Sequence, residues 1–71
     1  MDIMVFETSV YSHEAVNKIK PLLTAITAIS EWNFDLEDCD HILRIVSADL
    51  SPRKVETLLQ SAGFNCRELE Y

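Results

Sequence analysis

Two parts of the chain gather side chains that can bind a metal ion or move a proton. The first joins residues far apart in sequence: His13 and Glu14 near one end, Cys66 near the other. An imidazole, a carboxylate and a thiol make a donor set suited to Zn or Cu if the fold brings them together. The second is contiguous, Glu37-Asp38-Cys39-Asp40-His41. It is dense in donors, but its spacing fits neither an EF-hand loop nor a zinc finger. Both have plainer readings. A carboxylate-lined hairpin tip is a solvated turn, His13 and Glu14 are solvated first-turn residues, and Cys66 is a small core residue. The sequence has no nucleophile elbow, no Gly-rich phosphate loop and no HExxH zinc motif. The expectation is a non-enzymatic chain with no cofactor.

The 71 residues make one domain, 1–71, with a net charge of −6. A domain of this size buries roughly 60% of the surface its unfolded chain exposes, so its core is small and cannot also house a large cofactor. Five acidic residues, Glu31, Asp35, Glu37, Asp38 and Asp40, fall within ten positions, and no Lys or Arg occurs from Pro21 to Leu43. Nucleic acid and anionic membranes need a basic footprint, and this charge has the opposite sign. The opening Met1-Asp2-Ile3-Met4-Val5-Phe6 lacks a basic region and is followed by Glu7, unlike a signal peptide or a membrane span. The expected location is cytoplasmic. Two cysteines do not make a disulfide framework.

Positioning any of these groups requires elements, and the elements are legible. Ile3 to Thr8 is rich in strand formers. Ser12 suits an N-cap, and Val16, Ile19, Leu22 or Leu23, and Ile26 recur at helical spacing. Pro21 falls inside that stripe and predicts a bend near Asn17 to Pro21. Trp32, Phe34 and Leu36 alternate with polar residues, as a half-buried strand does. Ile42 to Val46 follows closely, which predicts an antiparallel hairpin. Ser51 and Pro52 start a second helix, Val55, Leu58, Leu59 and Ala62 form its stripe, and Gly63 ends it. Phe64 to Tyr71 reads as a closing strand. Right-handed crossovers then give a ferredoxin-like βαββαβ sandwich of the α+β class, with an antiparallel sheet in the order 4-1-3-2. The hairpin tip is expected at the opposite end of the sheet from Cys66, about 15 Å away along a strand, with Cys39 and Cys66 apart.

This layout resembles the heavy-metal-associated domains, the family of small copper chaperones and metal-ATPase N-terminal modules. Val16, Ile19 and Leu23 sit where that family's first-helix core residues fall. Ile29-Ser30-Glu31-Trp32-Asn33-Phe34-Asp35-Leu36 is similar to its second strand, and Ser61-Ala62-Gly63-Phe64 to the segment closing its second helix. The family's metal motif, Met-x-Cys-x-x-Cys, would fall on Val10-Tyr11-Ser12-His13-Glu14-Ala15, where Ser12 and Ala15 replace both thiols. Soft ions such as Cu(I) want thiolates. The resemblance thus implies the family's fold without its thiol site.

The helix-free face of the sheet offers another reading. If Leu43 and Ile45 face the core, then Ile42, Arg44 and Val46 face away, and Val5 joins them. That set is expected to form an apolar patch rimmed by Arg44, Glu7, Asn33 and Asp35, of the kind that marks association surfaces. The plainer reading is scattered exposed aliphatics. Together these observations favour a small non-catalytic interaction domain, whose partner is another protein or a second copy, docked through the open sheet face or an edge strand. The alternatives are a metal-binding module using His13, Glu14 and Cys66, or a ligand-sensing regulatory domain, which rests on fold analogy alone.

Overall fold

The computed structural model describes residues 2–37, 39 and 41–69. Asp38 and Asp40 of the donor-rich run, and the last two residues of the expected closing strand, lie outside the described residues. The element order is β1 (Asp2–Thr8), α1 (His13–Thr24), β2 (Ile29–Asp35), β3 (Ile42–Ser47), α2 (Pro52–Ser61) and β4 (Cys66–Glu68). The strands form one sheet in the order β2-β3-β1-β4 with every neighbouring pair antiparallel. This is the expected 4-1-3-2 order read from the other edge.

Both helices lie on one face, α1 towards β2 and α2 towards β4. Between them and the sheet sits a core of Met4, Phe6, Val10, Ile19, Leu23, Leu43, Ile45, Val55, Leu59 and Cys66. The two helical stripes and the strand alternation account for that core, because each element has one apolar side to bury.

The two helix starts differ. At α1 the Ser12 side chain accepts a hydrogen bond from Ala15 N at 3.2 Å. At α2 the Ser51 side chain makes no capping bond, contrary to expectation. There Pro52 at the first position has no N–H to satisfy, and Lys54 N donates to the Ser51 carbonyl instead. Helix α1 continues past Pro21 to Thr24 and ends before Ile26, so Ile26 stays outside the helix. Helix α2 closes with Gly63 at φ +94°. Gly63 N donates to Gln60 O and Phe64 N to Leu59 O, each at 3.0 Å. That paired closure is a Schellman motif and needs the left-handed glycine. It also shortens β4: Phe64 N serves the helix end and Asn65 bonds to Ser9, so pairing with β1 begins only at Cys66.

Candidate functional site

Strand β1 ends at Thr8 and β3, antiparallel to it, begins beside that end, with Glu7 opposite Ile42. Strand β4 also begins there, with Cys66 opposite Thr8. The β2–β3 tip, the entry to α1 and the start of β4 therefore share one end of the molecule. This corrects the expectation that the tip and Cys66 lie at opposite ends. A hairpin's second strand must start where its tip is, and β3 starts level with the end of β1.

A cleft of ≈ 550 Å³ opens at this end, and Tyr11, Cys39, His41, Gln60, Cys66 and Arg67 are among its walls. Thr8 is the hub beneath it. Its hydroxyl donates to the His41 carbonyl at 2.7 Å and accepts from Val10 N at 3.2 Å. The Tyr11 and His41 rings meet edge to face, with centroids 4.5 Å apart and planes at 80°. His41 has φ +49°, the left-handed region that His enters more readily than most residues. Its Nδ1 is buried and has no hydrogen-bond partner among the described residues. Two clasps close the floor: Ser9 N donates to Asn65 O at 3.1 Å, and Asn65 N donates to Ser9 Oγ at 2.8 Å. Gln60 Nε2 reaches the Cys66 carbonyl at 3.3 Å. The Arg67–Glu7 ion pair at 3.1 Å is exposed, and such pairs add little stability.

The two thiols differ in kind. Cys39 is exposed and Cys66 is buried. Burial first, and then the Glu56 carboxylate, push the Cys66 thiol from 9.0 up to about 12. At neutral pH Cys66 is thus a protonated thiol, a poor nucleophile and a poor ligand until it loses its proton.

The alternative set of His13, Glu14 and Cys66 is divided between two concave regions. His13 and Glu14 are exposed on the first turn of α1. His13 lines a separate groove beside β2, while Cys66 lines the loop-end cleft. Among the described residues no three His, Cys, Asp or Glu side chains are grouped to hold a metal ion. What shares the cleft with Cys66 is Cys39 and His41, from the run that its spacing had discounted. The sequence did carry a signal for this, namely the direction of β3.

On the sheet, Val5, Ile42, Arg44 and Val46 alternate with the core residues Met4, Phe6, Leu43 and Ile45, with Val5 paired to Arg44 and Ile3 to Val46. Val5 and Ile42 are each only 6% exposed, so they offer far less open apolar area than expected. Both lie on central strands with longer neighbours: Ile42 faces Glu7, itself held by Arg67, and Val5 faces Arg44. The large exposed aliphatic on β1 is Ile3, at 68%. Among the described residues no helix is long and apolar enough to cross a membrane.

No family model matches the sequence, and no curated protein does. Solved structures do. The N-terminal domain of ZntA in its Zn(II) form superposes with a TM-score of 0.80 at 14% identity, over 96% of this chain and 92% of that one. The yeast copper transporter domain Ccc2a, solved in apo and Cu(I)-loaded states, gives 0.82 at 13% identity, over 96% and 94%. The apo HMA domain of the copper chaperone for superoxide dismutase gives 0.77 at 16% identity, over 96% of this chain and 66% of that one. At these identities the likeness is one of fold: the chain has the ferredoxin-like architecture of heavy-metal-associated domains.

Proposed function

We propose that this chain is a small, cytoplasmic, non-catalytic binding domain that engages a protein partner, on the fold of heavy-metal-associated domains but without a thiol pair at the first turn. One observation carries the reading. The Ser12 hydroxyl is spent on Ala15 N, so the turn that would present two thiols is an ordinary capped helix start. Its next positions offer His13, Glu14 and the methyl group of Ala15, which suit neither Cu(I) nor a closed Zn site. The test is a titration of Cu(I) and of Zn(II) against a competing chelator. The reading expects no tight one-to-one complex with either ion, and such a complex would overturn it.

A second reading is metal binding at the loop-end cleft, favoured by the buried His41 Nδ1, which has no partner among the described residues, in a cleft that Cys39 and Cys66 also line. The side chains would have to close on the ion, and Cys66 would have to release a proton, so affinity would rise with pH. Binding abolished by Cys39→Ser and by His41→Ala, but kept in Ser12→Ala, would select this reading. Binding abolished by His13→Ala would instead select the set His13, Glu14 and Cys66. Val5, Ile42, Arg44 and Val46 remain a candidate contact surface for a partner or a second copy. Sedimentation of wild type and Val46→Lys, at the half-buried position of the set, over a concentration series tests the second copy.

A further inference from the structure

We propose that the outer edge of β2, with the groove beside it, takes an extended lysine- or arginine-rich segment of a partner protein as an added strand. This inference rests on the reading of the chain as a protein-binding domain and names the partner's chemistry. β2 is an end strand of the sheet, with β3 on one side only. The alternating backbone groups of such a strand face away from the sheet and can template another.

A groove of ≈ 470 Å³ follows this edge. Trp32 and Phe34, which pack against the helix-side core, line it together with Asn33 and Asp35, which alternate with them. Residues from both faces of β2 line this groove together with His13 of α1 and with Leu36 and Glu37 just past the strand, so it wraps the strand at its C-terminal half. Val16 of α1 contributes a further apolar wall. Trp32 and Phe34 meet edge to face at 5.9 Å and 75°, and both stay only partly buried. An added strand would bring apolar side chains to that pair at every second position.

Charge selects the occupant. Glu31 and Asp35 lie on the strand and Glu37 at the groove, within a stretch that has no Lys or Arg from Pro21 to Leu43. A second copy paired about Asn33 fits poorly. Antiparallel pairing of two β2 edges about Asn33 sets Glu31 against Asp35 in both halves, and like charges directly opposite are destabilising. A strand alternating apolar and cationic residues satisfies the groove and the acidic rim together.

Trp32 is the only tryptophan, so its emission reports the groove. The probe is a short acetylated peptide alternating valine and lysine, with a glutamate-for-lysine version as control. The lysine peptide should give a saturable change in Trp32 emission, weakened by added salt, while the glutamate peptide gives none. Amide exchange should slow on binding at the outward-facing, alternate amides of Glu31–Asp35, beyond the irregularity between Ile29 and Glu31. The Glu31→Lys, Glu37→Lys double variant should weaken binding by about fivefold or more at low salt, since it reverses two rim charges. Four results would overturn the inference: no saturable response, an equal response to the glutamate peptide, new protection away from β2, or a concentration-dependent emission change without peptide. The last would assign the edge to a second copy. Failure here is separable from failure of the proposed function, which a tight metal complex decides without reference to Trp32.

Discussion

The loop end and the β2 edge are both concave and both carry donor side chains, yet they are built differently. At the loop end the polar groups are consumed internally: Thr8 serves His41 and Val10, Ser9 and Asn65 serve each other, and Gln60 serves Cys66. Along β2 two aromatic side chains stand half-buried with acidic residues around them. Side chains on β2 are engaged too, since Asp35 accepts from Glu37 N at 3.2 Å and Ser30 donates to Val46 O at 3.1 Å, so the difference lies in the backbone: an end strand has an outer edge that can still pair with another molecule. Substitution should therefore cost stability at the loop end and binding at the edge.

The largest contrast should appear at alkaline pH. The folded chain holds the Cys66 proton up to about 12, against 9.0 for the ordinary thiol. Above pH 9 the unfolded chain gives up that proton while the folded chain keeps it, so stability falls as pH rises towards 12. The loss has a ceiling of about 4 kcal/mol, and Cys66→Ala removes it. Denaturant melts of both proteins from pH 8 to pH 11 measure the difference, and parallel pH curves would refute the assignment.

Thr8→Val keeps the shape and removes the hub hydroxyl. It should cost about 1–3 kcal/mol, because Val10 N then lacks its acceptor in a buried place. A lower denaturation midpoint at unchanged slope is the expected signature. Ser12→Ala should cost about 1 kcal/mol through the lost cap, whereas Ser51→Ala should cost only a few tenths, since its side chain caps nothing. Equal costs would dissolve the distinction between the two helix starts. At the far end of the scale, Glu37→Lys should change stability by less than about 0.5 kcal/mol, as exposed surface substitutions do. If it destabilises as much as Thr8→Val, the β2 groove is part of the structural frame and the comparison fails.

The elements were readable because each one buries a single side. The alternation of Trp32 and Phe34 and the spacing of Val16, Ile19 and Leu23 fix a strand and a helix without tertiary information. The loop-end cleft was not readable in that way, since Tyr11, Cys39, His41 and Cys66 come from two different connections and the start of β4 and share no sequence spacing. The edge was readable only through topology: alternation marks Trp32 and Phe34 as inward-facing, and it takes the right-handed crossovers and the resulting 4-1-3-2 order to put their strand at an end of the sheet. Ser51 shows a local limit. Serine before proline reads as a cap, but once Pro52 has no N–H to offer, fewer orphan donors need one.

The three-residue strand β4 has a kinetic consequence. It is joined to β1 over Phe6–Thr8 and clasped by Ser9 and Asn65, residues far apart along the chain. Forming that contact closes nearly the whole polypeptide into a loop, which makes β4 a late arrival in folding and an early departure in local opening. Cys66 lies at the start of that strand and is shielded while it is docked. The rate at which a thiol reagent modifies Cys66, set against its rate on exposed Cys39, then becomes a stopwatch for the peeling of β4.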